Sequence, residues 1–581
     1  MKIRLSFFLL ILISLISTVG IAFFYIPIRN IPIPYLIIEF FIVFAIHLIY
    51  YKKCFKGLVS SPNKQEKVIT YTSSLFAILF LISSRGPQNF LKDNSLFIIL
   101  LTYLGSFLLI FVCISLFSMA LIKRTNIQST KKAGLKDFVT FFLIIFLTGI
   151  VYWMAFYPAG MSTDSLNSWN QVHTKQFNDW HPIIFTWTIM LLTYIWDSPA
   201  IVSLFQIAVL SLIFATTFVQ LQRLGVKKYH LVIMSLIMAI IPSFTVFSII
   251  IWKDILFSVS ILLFTVHLFL INYSKGLWLK HKGNYLLFFL SSFGVVFYRH
   301  NGFPVFVFTM IVLILIYWKS LLKVTCSILI ILVIAHQILT GPIFKYLGVE
   351  SSDPNEALSI PTQQIANVIK NDGNLTEEQL NYYNSIFPIK MWKEKYNPYT
   401  VDPIKFSWGN YHREVIFDDF PKYLKTWGKV VVQNPLLVVD AYIKQSSLVW
   451  QMRIPEGGYE YIYNIGVNKN NFGIESSPIS SSLNKWVTKY LEESKLNPYI
   501  KVVWRPALYS FIILICSVVI LLKNGWRSGV VVLPFLLNLL SIAAALPAQD
   551  FRYLLPSVFV SFVFPFMAYI NPNLKEEKSN G

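Results

Sequence analysis

Apolar runs long enough to cross a bilayer alternate with short polar loops along almost the whole chain. A hydrocarbon core of about 30 Å needs roughly 20 apolar residues in a helix. That threshold picks out fourteen expected spans, at about 4–25, 34–50, 68–84, 95–122, 138–157, 199–221, 229–250, 255–273, 284–298, 302–318, 322–340, 506–522, 528–547 and 552–570. The chain reads as an all-α polytopic membrane protein. A further apolar stretch, 183–196, is about 14 residues long and follows His181-Pro182, with the proline suited to a first helical turn. It is expected to lie in the outer interface, a tilted short crossing being the alternative, because one more crossing would invert every later loop.

Basic residues set the orientation. Lys52, Lys53, Lys56, Lys64 and Lys67 share one loop, Lys123, Arg124, Lys131, Lys132 and Lys136 another, and Arg223, Lys227 and Lys228 a third. Cytoplasmic loops carry such an excess, so these loops face the cytoplasm. The same register places Lys275, Lys280, Lys282, Lys319, Lys323, Lys523 and Arg527 inside, together with both termini, and puts 341–505 outside a multi-pass cell-membrane protein. Lys2 and Arg4 precede an apolar run to Tyr25 that is too long for a signal peptide and lacks a small-x-small cleavage site, so an uncleaved first span is expected. The expected organisation is four N-terminal spans in 1–137, a membrane core in 138–340 with an outer loop at 158–198, a mostly helical soluble region in 341–505, and C-terminal spans with a charged tail in 506–581. Within the soluble region, 375–384 and 430–451 read as helices.

Composition changes this picture only by exclusion. With 581 residues, 55% hydrophobic, 13% charged and a mean hydropathy of +0.60, a single water-soluble globule is ruled out. The 49 basic and 28 acidic residues suggest nucleic acid at first. However, 341–505 holds 18 basic and 17 acidic residues, so the surplus belongs to the short loops and nucleic-acid binding loses its support. Cys54, Cys113, Cys326 and Cys516 are scattered in or beside apolar runs, which disfavours a disulfide framework or a cysteine zinc site. There is no GxGxxG, P-loop or HExxH motif. The aromatic share, 16%, is accounted for by core packing and interfacial belts.

Candidate chemistry sits where outer loops meet the ends of spans. Asp164 lies in Tyr157-Pro-Ala-Gly-Met-Ser-Thr-Asp-Ser-Leu-Asn-Ser-Trp169, followed by Asp179 and His181, then Lys253-Asp254, Arg299-His300-Asn301 and Asp550-Phe-Arg552-Tyr553. Ionisable groups at span ends are costly to leave in lipid and tend to face a cavity or one another. All of these fall on one side, which makes a shared outer pocket the natural hypothesis. Blander readings exist for each: Asp164 as a helix cap, His181 as an interfacial histidine, Lys253-Asp254 as a surface pair, and Arg299 and Arg552 as snorkelling side chains.

An acidic residue in the first outer loop, His-Pro leading an interfacial helix, further outer charges and a late Arg-Tyr-Leu-Leu-Pro resemble the GT-C superfamily of membrane glycosyltransferases, which includes aminoarabinose transferases and protein O-mannosyltransferases. The resemblance covers about 138–340 and 506–570. It implies a GT-C-like fold and transfer of a sugar from a polyprenyl-phosphate donor to a glycan or lipid acceptor of the cell envelope, as in polysaccharide biosynthesis. Asp164 would be the general base, with Asp179 and His181 also catalytic. Lys253, Asp254, Arg299, His300, Arg552 and Tyr553 would bind substrate, the cations receiving the departing phosphate. The family's first loop often carries an acidic pair, whereas Ser165 follows Asp164 here. No metal ligands are assigned, and a divalent cation stays open as a cofactor. A polysaccharide polymerase or ligase is the neighbouring alternative. A lipid or glycan flippase is the alternative from another class, expected to show broken helices at mid-membrane and two repeated halves.

Overall fold

The computed structural model describes residues 2–25, 33–55, 63–84, 94–122, 133–455, 457–458, 463–497 and 500–570. Lys56, Lys123, Arg124, Lys131, Lys132 and the tail after Asn573 lie outside them. Among the described residues the chain is helical throughout, with isolated β-bridges and no strand. Among the described residues ten helices are long and apolar enough to cross a membrane: Phe7–Tyr25, Ile33–Lys53, Lys64–Ser83, Leu96–Ile122, Leu135–Ala155, Pro199–Arg223, Lys253–Tyr273, Gly302–Leu347, Pro506–Asn524 and Phe551–Tyr569. The chain is a polytopic membrane protein.

Length and composition thus return ten crossings, or eleven with the pair Lys228–Ile240 and Pro242–Ile249, rather than fourteen. That pair is bent by 80°, because Pro242 cannot donate into the preceding turn. The expected spans 284–298 and 528–547 are the shorter helices Lys282–Phe297 and Leu533–Ala545. The expected spans 302–318 and 322–340 both fall in Gly302–Ile338, whose backbone breaks from helical geometry at Tyr317 (φ −114°, ψ 22°). A straight helix would hold Phe303 and His336 about 50 Å apart. Their rings stack at 4.1 Å, so the element folds back on itself as two antiparallel arms.

Packing explains the arrangement of the rest. The N-terminal helices Lys2–Tyr25 and Leu96–Ile122 cross so closely that a Cβ on Gly105 would meet the Ile16 carbonyl oxygen at 2.1 Å, which leaves glycine as the residue that fits. Lys64–Ser83 reaches Pro506–Asn524 through Phe76 and Phe80, whose rings lie 5.3 and 5.8 Å from that of Phe511. Lys253–Tyr273 is the buried axis of the molecule, with Asp254 at one end and His267 near the other both enclosed.

Several described basic residues make their contacts at one end of the bundle. Lys228 pairs with Asp137 at 2.7 Å, Arg223 donates to the Ala133 carbonyl, and Lys523 Nζ donates to the carbonyls of Leu121, Ala568 and Tyr569. Gly276 packs beside Tyr317 and Leu321, and Asn272 donates to the Arg527 carbonyl at 3.2 Å.

The opposite end is covered by 341–505. Its core joins Tyr383, Phe387, Trp392, Ile416, Tyr423 and Val430. The helix expected at 375–384 is Glu377–Ile386. The one expected at 430–451 is three helices, Phe420–Gln433, Pro435–Gln445 and Ser447–Trp450, since Asn434-Pro435 interrupts it. Backbone hydrogen bonds sew this region to the membrane loops: Asp179 N to Glu350 O (2.8 Å), Val401 N to Pro547 O (2.9 Å) and Met161 N to Gly466 O (2.9 Å). The segment 183–196 forms helix Ile183–Thr193, only about 16 Å long. Pro182 is its N-cap rather than a first-turn residue. Thr188 lies 3.4 Å from the Tyr298 hydroxyl, and Asp197 beyond the helix returns to His173, so both contacts hold the element at the covered end.

Candidate active site

The site is built on five loops that feed the covered end of the bundle. Gly160 N donates to the Ile249 carbonyl and Ile251 N to the Gly160 carbonyl, both at 3.0 Å. A Cβ on Gly160 would meet the Asn464 carbonyl oxygen at 2.1 Å, so the loop passes where only glycine allows. Helix Thr163–Thr174 follows, capped by Ser162, whose side chain accepts from Ser165 N. Ser165 Oγ donates to the Ile251 carbonyl at 2.9 Å. Capping therefore falls to Ser162, which corrects the capping reading of Asp164 and leaves its carboxylate free to face inward.

Asp164 meets residues from the far end of the chain. Arg552 Nη1 donates to Asp164 Oδ2 at 2.6 Å, and Arg552 Nε donates to Asp550 Oδ2 at 2.6 Å. The guanidinium lies 4.5 Å from the Trp252 ring centroid, and Trp252 Nε1 donates to Ser162 Oγ at 2.8 Å. Arg299 pairs with Asp254 at 2.8 Å and lies 5.4 Å from the centroid of Tyr553 and 5.6 Å from that of Phe257. Neither arginine snorkels; both are mostly buried and paired. Lys253 and Asp254 likewise do not pair as surface neighbours, since one turns to His181 and the other to Arg299.

Lys253 Nζ donates to His181 Nδ1. That bond makes Nδ1 the acceptor and puts the ring proton on Nε2, which is buried, has no hydrogen-bond partner among the described residues and lies 3.7 Å from Asp164 Oδ1. His300, half exposed, approaches the Asp179 carbonyl at 3.2 Å and its carboxylate at 3.8 Å. Asn301 serves packing, donating to Asn538 (3.0 Å) and Ser541 (2.9 Å).

Environment sorts the titratable groups. Burial alone would raise Asp164, but His181 and the charges of Arg552 and Lys253 outweigh it and hold the carboxyl well below its usual range. Burial pushes Asp179 up to about 6, against the pull of Lys253. It also pushes Asp550 up to about 6, even with Arg552 beside it. Burial and then the Lys253 charge lower His181 to about 4, so its imidazole is neutral at pH 7. Among the described residues no group of three or more His, Cys, Asp or Glu side chains is placed to hold a metal ion.

All nine sequence-derived residues, Asp164, Asp179, His181, Lys253, Asp254, Arg299, His300, Arg552 and Tyr553, belong to this one linked cluster. Two further members carry structure that the sequence did not single out. Trp252 sandwiches Arg552 from the side of Ser162, and Glu350 fixes the loop that carries Asp179. Trp252 adjoins Lys253 at a span end, but one Trp among 15 carries no positional signal of that kind. No curated protein and no solved structure matches the chain. Residues 9–580 match the model of DUF6020, a family of unknown function, and the chain belongs to that family.

Proposed function

We propose that this protein is a GT-C-like membrane glycosyltransferase that moves a sugar from a polyprenyl-phosphate donor to a cell-envelope acceptor at the outer face of the membrane. One observation carries the reading: a first-loop carboxylate, Asp164, sits against Arg552, with Lys253 and Arg299 in the same cluster at the rim of an apolar bundle. A lipid-borne phosphate arrives at such a rim, and arginine presents a two-pronged donor set to it. In this reading Arg552 transfers its hydrogen bond from Asp164 to the donor phosphate. Losing that cation raises the proton affinity of Asp164 as the donor seats. The acceptor hydroxyl attacks the anomeric carbon, its proton passes to Asp164, the bond from that carbon to the phosphate oxygen breaks, and polyprenyl phosphate leaves toward the cations. His181 Nε2–H steadies Asp164, Asp179 is the second carboxylate within reach of the acceptor, and Tyr553 holds Arg299 and Arg552 in place.

Orientation follows from the charges. Counting the two arms of Gly302–Ile338 separately, and the bent pair, Lys282–Phe297 and Leu533–Ala545 as one crossing each, makes fourteen. An even number puts both termini on one side, and the gathered basic loops make that side cytoplasmic. The 80° break does not favour transport, because it lies at the covered end, where Tyr490 donates to the Ile240 carbonyl, and it serves to deliver Ile249 to Gly160.

The test is release of sugar from polyprenyl-phosphate sugars by purified protein, compared with Asp164→Asn. Loss of a positioned base lowers turnover by about 10²–10⁴-fold. Equal turnover of the two proteins removes Asp164 from the chemistry, and no release by either removes the transferase reading.

A further inference from the structure

Helix Thr163–Thr174 carries Asp164 at one end and His173 nine residues later, about 14 Å along its axis. At the His173 end a separate cavity of about 390 Å³ opens, lined by Tyr157, Trp169, Asp197, Phe472 and Glu475 among others. That volume is within the range of small-molecule sites, about 300–1,000 Å³. Its lining differs in kind from the catalytic cluster: it holds two carboxylates, one imidazole and three aromatic rings, and no lysine or arginine. An anionic ligand such as the donor phosphate is disfavoured there.

The cavity is built rather than incidental. His173 faces the Trp169 carbonyl with Nδ1 (2.9 Å) and the Asp197 carboxylate with Nε2 (3.0 Å), so one oxygen of Asp197 is fixed. The His173 ring lies between Trp169 (4.8 Å) and Phe472 (6.5 Å). Phe472 is held by its loop: Asn470 Oδ1 accepts from Phe472 N (2.9 Å), Asn470 Nδ2 donates to the Ile474 carbonyl (2.8 Å), and Ser477 N donates to the Tyr157 carbonyl (2.9 Å). Such fixing lowers the ordering cost of binding.

We propose that this cavity is a saccharide subsite. A sugar ring offers an apolar C–H face that packs on an aromatic ring and hydroxyls that donate to carboxylates, which is the complement of Phe472 with Asp197 and Glu475. Resting on the transferase reading, the site grips the acceptor chain one helix length from the point of attack, while the cationic cluster takes the donor.

The test uses the full chain in nanodiscs, with maltotetraose, chitotetraose and tetralysine as probes in calorimetric titrations, in wild type and in Phe472→Ala and Asp197→Asn. At least one tetrasaccharide binds wild type, and each substitution weakens it tenfold or more. Binding of neither sugar, equal binding by Phe472→Ala, or binding of tetralysine alone overturns the assignment. Hydrolysis of polyprenyl-phosphate sugar with water as acceptor, unchanged in Phe472→Ala, reads the transferase separately. Saccharide binding without hydrolysis retains the subsite and rejects the transferase; hydrolysis without saccharide binding does the reverse.

Discussion

Arg552 Nη1 rests 2.6 Å from Asp164 Oδ2, joining a loop after the fifth apolar helix to the start of the last one, 388 residues on. The same guanidinium holds Asp550 at 2.6 Å, so two carboxylates share one cation. In the proposed reaction a donor phosphate entering the site would compete for a group that is already geometrically aimed.

Arg552→Lys tests that geometry. An ammonium keeps the charge but cannot bridge Asp164 and Asp550 in one plane or lie flat beside Trp252. The variant should fold and lose about 10²-fold or more in turnover, the range found when one charge-stabilising donor is removed. Wild-type turnover with lysine, measured by sugar release, would show that charge alone suffices.

The Asp254–Arg299 pair tests burial. Asp254 is 1% exposed, so Arg299→Met leaves an uncompensated carboxylate and should cost about 3–5 kcal/mol, read as a lower unfolding temperature in detergent. The double variant Asp254→Leu/Arg299→Met should regain most of that stability, because a desolvated pair is rarely a net gain over apolar contacts. It should not regain transfer. Recovery of activity would mean that Arg299 only balances Asp254.

Asp179, raised to about 6, is charged above that pH and protonated below it, so turnover should fall on the acid side of about pH 6. Because the raised group favours the fold when protonated, its contribution to stability is complete below the ordinary carboxylate range and is lost as the pH rises through about 6. The acid limb at Asp179 is therefore not unfolding. Asp179→Asn should flatten the pH–rate profile there; an unchanged limb would assign it to Asp550 instead.

Gly160→Ala should separate packing from chemistry. The added methyl runs into the Asn464 carbonyl, and the loop must shift, at a cost of about 1–3 kcal/mol. Since Gly160 also pins Ile249 and Ile251, turnover should fall although no side chain of the cluster changes. An unaltered unfolding temperature would count against so tight a passage.

Much of this protein was legible in the chain itself. Twenty apolar residues have one stable arrangement in lipid, a helix, so a helical, multi-pass membrane protein declared itself by the length of its apolar runs. Charged residues at span ends marked the site, since such groups are tolerated in apolar surroundings only where they meet partners.

Which partner each group takes was decided by tertiary structure alone. Lys253 and Asp254 are neighbours in sequence, yet helical geometry sends one side chain to His181 and the other to Arg299. The fold-back at Tyr317 was visible only as two expected spans, and the break at Pro242 was hidden inside one. Ser162 rather than Asp164 caps its helix, which hydrogen-bond geometry settles and composition does not. Periodicity records how a residue relates to its own helix; contacts across 388 positions arise from packing, and no local pattern encodes them.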